Sequence, residues 1–192
     1  MLKDPWLDRW LPLAVERAQD RPVLEIGCGQ GDDTATLARA GLNVIAFDLS
    51  RAAVAVARVR VPSAAIECRD IREPLPAQAQ DLGVVVASLS LHYFAWKETV
   101  AIVQRVRHAL RPGGLLLCRL ISTEDRNFGA QGHPEIEQNF FLVDGEPKRF
   151  FDEESIALLF AEGWRRLSLE HFVTRKYVKS KAVWEVVLEK DA

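Results

Sequence analysis

Several things are scarce in this chain of 192 residues, and each scarcity excludes something. It has three cysteines, Cys28, Cys68 and Cys118, far apart in sequence and on or beside apolar runs. An odd, unclustered set forms neither a disulfide framework nor a zinc knuckle, and predicts buried, reduced thiols. Charge is nearly balanced at −2, so composition offers no general attraction to nucleic acid. No apolar run approaches the length of a membrane span, and the opening Met1-Leu2-Lys3-Asp4-Pro5-Trp6 lacks the apolar core of a signal peptide. The expectation is a cytoplasmic protein away from membranes. Histidine is rare too, and His133 has no ligand-spaced partner, so no metal site is expected.

What is present is an ordinary globular composition, 48% hydrophobic and 27% charged, in a length suited to one domain over 1–192. Apolar Val23, Leu24 and Ile26 read as a short buried strand, followed by glycines at 27, 29 and 31 and a helical run from Asp33 to Ala40 that closes at Gly41. A strand, a glycine turn and a helix start make a place where a ligand can approach the backbone and meet free N–H groups. Asp32 and Asp33 are expected to cap that helix, which argues against a pyrophosphate there. The third glycine of a dinucleotide fingerprint would stand where this chain has Asp32, and no Gly-Lys-Ser/Thr follows as a phosphate loop requires.

A second strand, Asn43–Phe47, ends at Asp48, 21 positions after Gly27, the spacing at which a βαβ unit sets an acid for ribose hydroxyls. Ser50 caps the next helix, Arg51–Val59, and leaves Asp48 for a ligand. A third strand runs Ala64–Cys68 and leads to Asp70 and Ile71, where the bland alternative for Asp70 is pairing with Arg69 or Arg72. The continuous run Asp81–Ser88 reads as a fourth strand buried on both faces. It is followed by Leu89–Phe94 and a helix, Trp96–Leu110, with Val100, Val103, Val106 and Leu110 on one stripe. Pro112, Gly113 and Gly114 then reverse the chain into a strand over Leu115–Leu120.

The stretch Glu25-x-Gly27-x-Gly29-x-Gly31, together with Asp48 and the run Leu110-Arg-Pro-Gly-Gly-Leu115, resembles the class I S-adenosylmethionine-dependent methyltransferases over about residues 20–190. The alternation of strands and helices gives α/β on its own. The resemblance implies a Rossmann-like, doubly wound, seven-stranded sheet, mostly parallel, of order 3-2-1-4-5-7-6 with the last strand antiparallel. It implies S-adenosylmethionine as cofactor and S-adenosylhomocysteine as product, held by Glu25, Gly27, Cys28, Gly29, Gly31, Asp48 and Leu49. Asp70 and Ile71 would meet the adenine, and the backbone near Ser88 the methionyl amino group. His92 and Tyr93, in the loop beside the transferred methyl, become candidates for substrate contact or proton removal; plain packing is the competing reading.

Three segments bear on the methyl acceptor. Residues 1–20 are expected to form a helix begun by Asp4 and Pro5, with Trp6, Trp10, Leu13 and Val15 on one side; as a flap it would bring Trp6, Arg9 or Trp10 to the site. Residues 122–149 are too long for an ordinary connection and read as a lid, with Asn127 and His133 adding hydrogen-bonding groups and Phe128, Phe140 and Phe141 as its apolar wall. A helix follows from Glu153 to Ala161, capped by Asp152, and Trp164–Phe172 and Lys181–Leu188 alternate as an antiparallel pair. Arg175, Lys176, Lys179 and Lys181 cluster between these strands, usually a solvated face. The expected function is methyl transfer to a small-molecule acceptor. An RNA or protein methyltransferase using the basic turn, or a non-catalytic cofactor-binding subunit, stands as the alternative.

Overall fold

A computed structural model describes residues 5–174 and 179–192. Asp4, Arg175 and Lys176 lie outside the described residues. The strands in chain order are β1 (Val23–Ile26), β2 (Val44–Asp48), β3 (Ala65–Cys68), β4 (Leu82–Ser88), β5 (Leu110–Ile121), β6 (Glu135–Glu137), β7 (Phe140–Val143), β8 (Glu146–Arg149), β9 (Trp164–Thr174) and β10 (Lys181–Lys190). The helices are α1 (Leu11–Ala18), α2 (Asp32–Arg39), α3 (Arg51–Arg60), α4 (Trp96–Ala109) and α5 (Glu153–Leu159).

Seven strands form the main sheet in the order β3-β2-β1-β4-β5-β10-β9. β1 pairs in parallel with both β2 and β4, so the strand order reverses there. β10 runs antiparallel to β5 and to β9. In order of appearance this is 3-2-1-4-5-7-6 with the last strand antiparallel, as the resemblance implied. The pleat divides the core by residue parity. Leu24, Ile26, Leu116, Cys118 and Leu120 face α4 and α5 through Ile102, Val103, Val106, Ile156 and Leu159. Val23, Val44, Val84, Leu115 and Leu117 face α1, α2 and α3 through Ala14, Ala18, Leu37, Val54 and Ala57. Each such aliphatic side chain contributes roughly 1.5–3 kcal/mol by leaving water. Small residues let α1 approach β4: a Cβ on Gly83 would lie 2.5 Å from Ala18 Cα.

Several expectations are corrected. The first helix starts at Leu11, with Pro12 in its first turn, after a 3₁₀ turn over Asp8–Trp10. Its buried face is Ala14 and Ala18, whereas Val15 is exposed. Asp32 and Asp33 do not cap α2; Gly31 does, at φ +81°, while Asp32 pairs with Arg60. The Arg111–Gly114 stretch is carried inside β5 as an irregularity, since Leu82 pairs with Leu110 and Val84 with Leu115. Cys28 and Cys118 are buried and free, but Cys68 is exposed.

The largest correction concerns 122–149. It contains a second, three-stranded antiparallel sheet, β6-β7-β8. Asp144 and Gly145, at φ +53° and +83°, turn β7 into β8 with Val143 opposite Glu146. Both central residues at positive φ make the two-residue turn that suits a hairpin's twist. The Asp-Gly pair between apolar positions is the readable signal for it.

Candidate active site

A cavity of about 750 Å³ opens at the carboxyl ends of β1, β2, β3 and β4, beside the point where the strand order reverses. Its wall includes Ile26, Gly27, Phe47, Asp48, Leu49 and Ser50 from the first two strands and their turns. Arg69 to Arg72 supply a second side, Leu89, Ser90, Tyr93 and Phe94 a third, and Glu146 and Pro147 of β8 a fourth. Open parallel sheets place ligands here because the strand ends diverge and leave a crevice.

Asp48 is set by the backbone. Gly29 N–H donates to Asp48 Oδ2 at 2.8 Å and Ser50 N–H to Oδ1 at 2.8 Å. Each carboxylate oxygen keeps a further lone pair, so the group can still accept two hydroxyls. Ser50 caps α3, its hydroxyl accepting from Ala53 N–H at 3.2 Å. Gly27, at φ +72°, lies where a Cβ would stand 2.6 Å from Ser90 Cβ. Ser90 Oγ is buried with no hydrogen-bond partner, the kind of group a ligand satisfies.

Asp70 carries the Arg72 pairing that stood as its bland alternative. It lines the cavity, and it also accepts from Arg72 Nε at 3.0 Å through each oxygen. The Arg72 hydrogen bonds hold its carboxyl below the ordinary range. Ile71 is buried in the same wall. Arg105 Nη1 donates to Ile71 O at 2.8 Å and so anchors this loop to α4.

Of the remaining expected contacts, Glu25, Cys28, Gly29, Gly31 and Ser88 are not among the residues that line this cavity. Glu25 is buried and accepts from Thr34 Oγ1 at 2.5 Å. Burial, then the neighbouring Asp33, raises its carboxyl well above the usual range. Burial and the charges of Glu25 and Asp48 push the Cys28 thiol up to about 12. Ser88 Oγ accepts from Arg119 Nε at 2.9 Å and Nη2 at 2.8 Å. Arg119 is 1% exposed on β5, and sequence reasoning missed it, as it missed Ser90, Arg72 and Glu146. Nothing local marks a buried arginine in an otherwise apolar strand.

His92 and Tyr93 part company. Tyr93 is 46% exposed on the cavity wall; His92 is 3% exposed, stacked behind it at 4.0 Å. Burial, then Lys181 and Lys148, lowers the His92 imidazole to about 3, and its Nδ1 has no partner. It is neutral, weakly basic and away from the wall, which corrects its candidacy for proton removal. The flap residues also divide. Trp6 Nε1 donates to Asp33 Oδ2 at 2.9 Å, at the start of α2. Arg9 and Trp10 are bound to Glu185 of β10, Trp10 Nε1 at 2.6 Å and Arg9 Nε at 3.0 Å. None of the three lines the cavity. Phe128, Phe140 and Phe141 do not line it either: Phe128 lies under Lys181, Phe140 against Arg149 and Phe141 against Phe150. Among the described residues no cluster of three or more metal-ligating side chains occurs.

The sheet order and the cavity at its switch point define a doubly wound α/β protein with a crevice where open parallel sheets place ligands. Residues 23–114 match the methyltransferase domain family. Over 109 residues the chain is 34% identical to the trans-aconitate 2-methyltransferase of Delftia acidovorans, covering 55% of this chain and 40% of that protein. It spans less than half the length of the first curated relatives it matches. Its backbone superposes on an S-adenosylmethionine-dependent methyltransferase of Clostridium acetobutylicum with a TM-score of 0.76 at 18% identity, over 100% of this chain and 93% of that one. A methyltransferase of Methanosarcina mazei gives 0.76 at 17% identity, over 94% and 97%. The chain is thus similar to the methyltransferase domain family over residues 23–114 and shares its whole fold with solved S-adenosylmethionine-dependent methyltransferases.

Proposed function

We propose that this protein transfers a methyl group from S-adenosylmethionine to a small-molecule acceptor. The observation that carries this is Asp48, held by two backbone N–H groups at the wall of a cavity of about 750 Å³ at the switch point. The donor set suits the cofactor. Asp48 accepts ribose hydroxyls, and Ile71 and Leu49 offer apolar surface to the base. Asp70 takes three N–H groups of Arg72 and keeps one acceptor site for an exocyclic amine.

When bound, S-adenosylmethionine supplies an electrophilic methyl whose sulfonium leaving group needs no acid. The chain's residues have to orient the acceptor in line, exclude water and keep rival nucleophiles silent. Leu89, Phe94 and Pro147 give an apolar surround, and the Tyr93 hydroxyl can hold the acceptor's proton-bearing atom in place. The protonated Cys28 thiol behind the turn is no competitor for the methyl, because only the thiolate is strongly nucleophilic.

A small-molecule acceptor is favoured over RNA by Lys181. It is half-buried, its Nζ lies 4.8 Å from the Phe128 ring, and burial lowers its ammonium from the usual value. Half-buried and packed on a ring, it offers less of its surface to an RNA backbone than a solvated lysine would. The test is calorimetry with S-adenosylhomocysteine and with NAD, followed by methyl transfer from labelled S-adenosylmethionine to a panel of small carboxylates, phenols and amines. Trans-aconitate belongs in the panel because the Delftia relative is named for it. Binding of NAD without S-adenosylhomocysteine would overturn the proposal; binding of S-adenosylhomocysteine without any transfer would support the non-catalytic alternative.

A further inference from the structure

Arg149, the last residue of β8, is only 3% exposed. Its Nε donates to Phe94 O at 3.0 Å and its Nη1 to Gln138 O at 3.2 Å, while Nη2 pairs with Glu137 of β6. Its own backbone N–H donates to His92 O at 2.7 Å. The guanidinium carbon lies 5.5 Å from the Trp96 ring and 4.9 Å from Phe140. Glu137 Oε1 also accepts from Trp96 N–H at 2.6 Å, at the start of α4. One side chain thus joins the small sheet, the 89–94 loop and the first turn of α4.

The position of this knot matters more than its strength. The 89–94 loop gives Leu89, Ser90, Tyr93 and Phe94 to the cavity, and β8 gives Glu146 and Pro147 to the same cavity. Arg149 bonds directly to the backbone of His92 and Phe94 on one side and is three residues from Glu146 on the other. A buried guanidinium costs desolvation, which here lowers its own proton affinity to about 10 while leaving it cationic at neutral pH. A planar fork that serves three separate acceptors is a task a lysine ammonium cannot reproduce.

We propose that Arg149 is a positioning residue for the methyl acceptor, clamping the β6-β7-β8 sheet onto the 89–94 loop and so setting the width of the acceptor end of the cavity. This rests on the methyltransferase reading above. The contacts that fit a nucleoside, at Asp48, Leu49 and Asp70, lie on other elements that Arg149 does not touch. Loosening Arg149 should therefore leave cofactor binding alone and spoil acceptor binding.

The experiment compares Arg149→Met, Arg149→Lys and Glu137→Gln with the parent protein. S-adenosylhomocysteine affinity by calorimetry is expected to stay within about twofold in all three. Amide hydrogen exchange with S-adenosylhomocysteine bound is expected to quicken tenfold or more in 89–96 and 135–149, and not in 44–50 or 69–72. For whichever panel acceptor the parent methylates, KM should rise at least tenfold in Arg149→Met, with a smaller fall in kcat, and Arg149→Lys should fall between. If Arg149→Met does not fold, Arg149→Lys and Glu137→Gln, which keep most of the packing, decide the matter. Exchange unchanged, exchange quickened throughout the chain, or loss of S-adenosylhomocysteine affinity would each overturn the proposal. Failure of the parent protein itself to bind S-adenosylhomocysteine would instead count against the methyltransferase reading.

Discussion

The indole N–H of Trp6 donates to Asp33 Oδ2 at 2.9 Å, and the same ring lies 4.4 Å from the Arg119 guanidinium carbon. Through these contacts the N-terminal segment reaches from α2, behind the glycine turn, to the pair formed by Arg119 and Ser88 at the ends of β5 and β4. Trp6→Phe keeps most of the packing and loses the hydrogen bond, which should cost about 1 kcal/mol of stability. Trp6→Ala should cost about 3–5 kcal/mol, because the side chain is 95% buried and leaves a cavity. We expect S-adenosylhomocysteine affinity to fall in both. Thermal unfolding and calorimetry on the same samples check this; lowered stability at unchanged affinity would reduce the segment to packing.

Asp48→Asn should weaken S-adenosylhomocysteine binding by roughly 1–3 kcal/mol, since charge-assisted bonds to two hydroxyls are lost. The amide can still accept one of the bonds from Gly29 and Ser50, so the fold should survive better than in Asp48→Ala. Calorimetry showing unchanged affinity in Asp48→Asn would place the ribose elsewhere.

Gly27→Ala tests the close approach of the turn to the 89–94 loop. The new Cβ would stand 2.6 Å from Ser90 Cβ on a backbone at φ +72°, so both strain and overlap oppose it. We expect a loss of about 2–4 kcal/mol in unfolding free energy together with lost cofactor binding. Gly29→Ala should be milder, because no atom lies within 4 Å of the place its methyl would take. Denaturant titration of the pair gives the comparison directly.

His92 predicts a pH dependence. Its folded-state value of about 3 lies below the ordinary 6.5, with burial as the main cause. The unfolded chain therefore binds one more proton than the folded chain between those limits, and stability is full above about pH 6.5 and falls as pH drops towards 3. The slope from this group is about 1.4 kcal/mol per pH unit. His92→Phe should remove that contribution while leaving the carboxylates, the raised Glu25 among them, to act alike in parent and variant. Equal slopes between pH 6.5 and 5 in parent and variant would show that His92 titrates normally.

Legibility follows the range of the interaction concerned. The strands β2 and β4 are readable because burial on both faces demands apolar runs, β1 because Val23, Leu24 and Ile26 are apolar around one acid, and Asp48 because its distance from the glycine turn is set by one helix and one strand. The hairpin of β7 and β8 is equally local, marked by Asp144-Gly145, although the length of the connection points to a lid. Arg119 and Arg149 are not readable at all. Each is a charged residue whose burial depends on partners distant in sequence: Ser88 and Trp6 for Arg119, and Phe94, Gln138 and Glu137 for Arg149. His92 and Tyr93 are neighbours, so no pattern tells which ring faces the cavity.

By itself the sequence determined the α/β class, the glycine turn and the acid after the second strand, since these are set by residue type and spacing along one βαβ unit. The tertiary structure decided the rest of the cavity. Only packing could turn Tyr93 outward and His92 inward, bring Glu146 and Pro147 to the same cavity as the loop after β4, and bury Arg149 between them. Those contacts join segments far apart in sequence, Arg149 and Phe94 by 55 residues, and their energy exists only once the sheet has assembled.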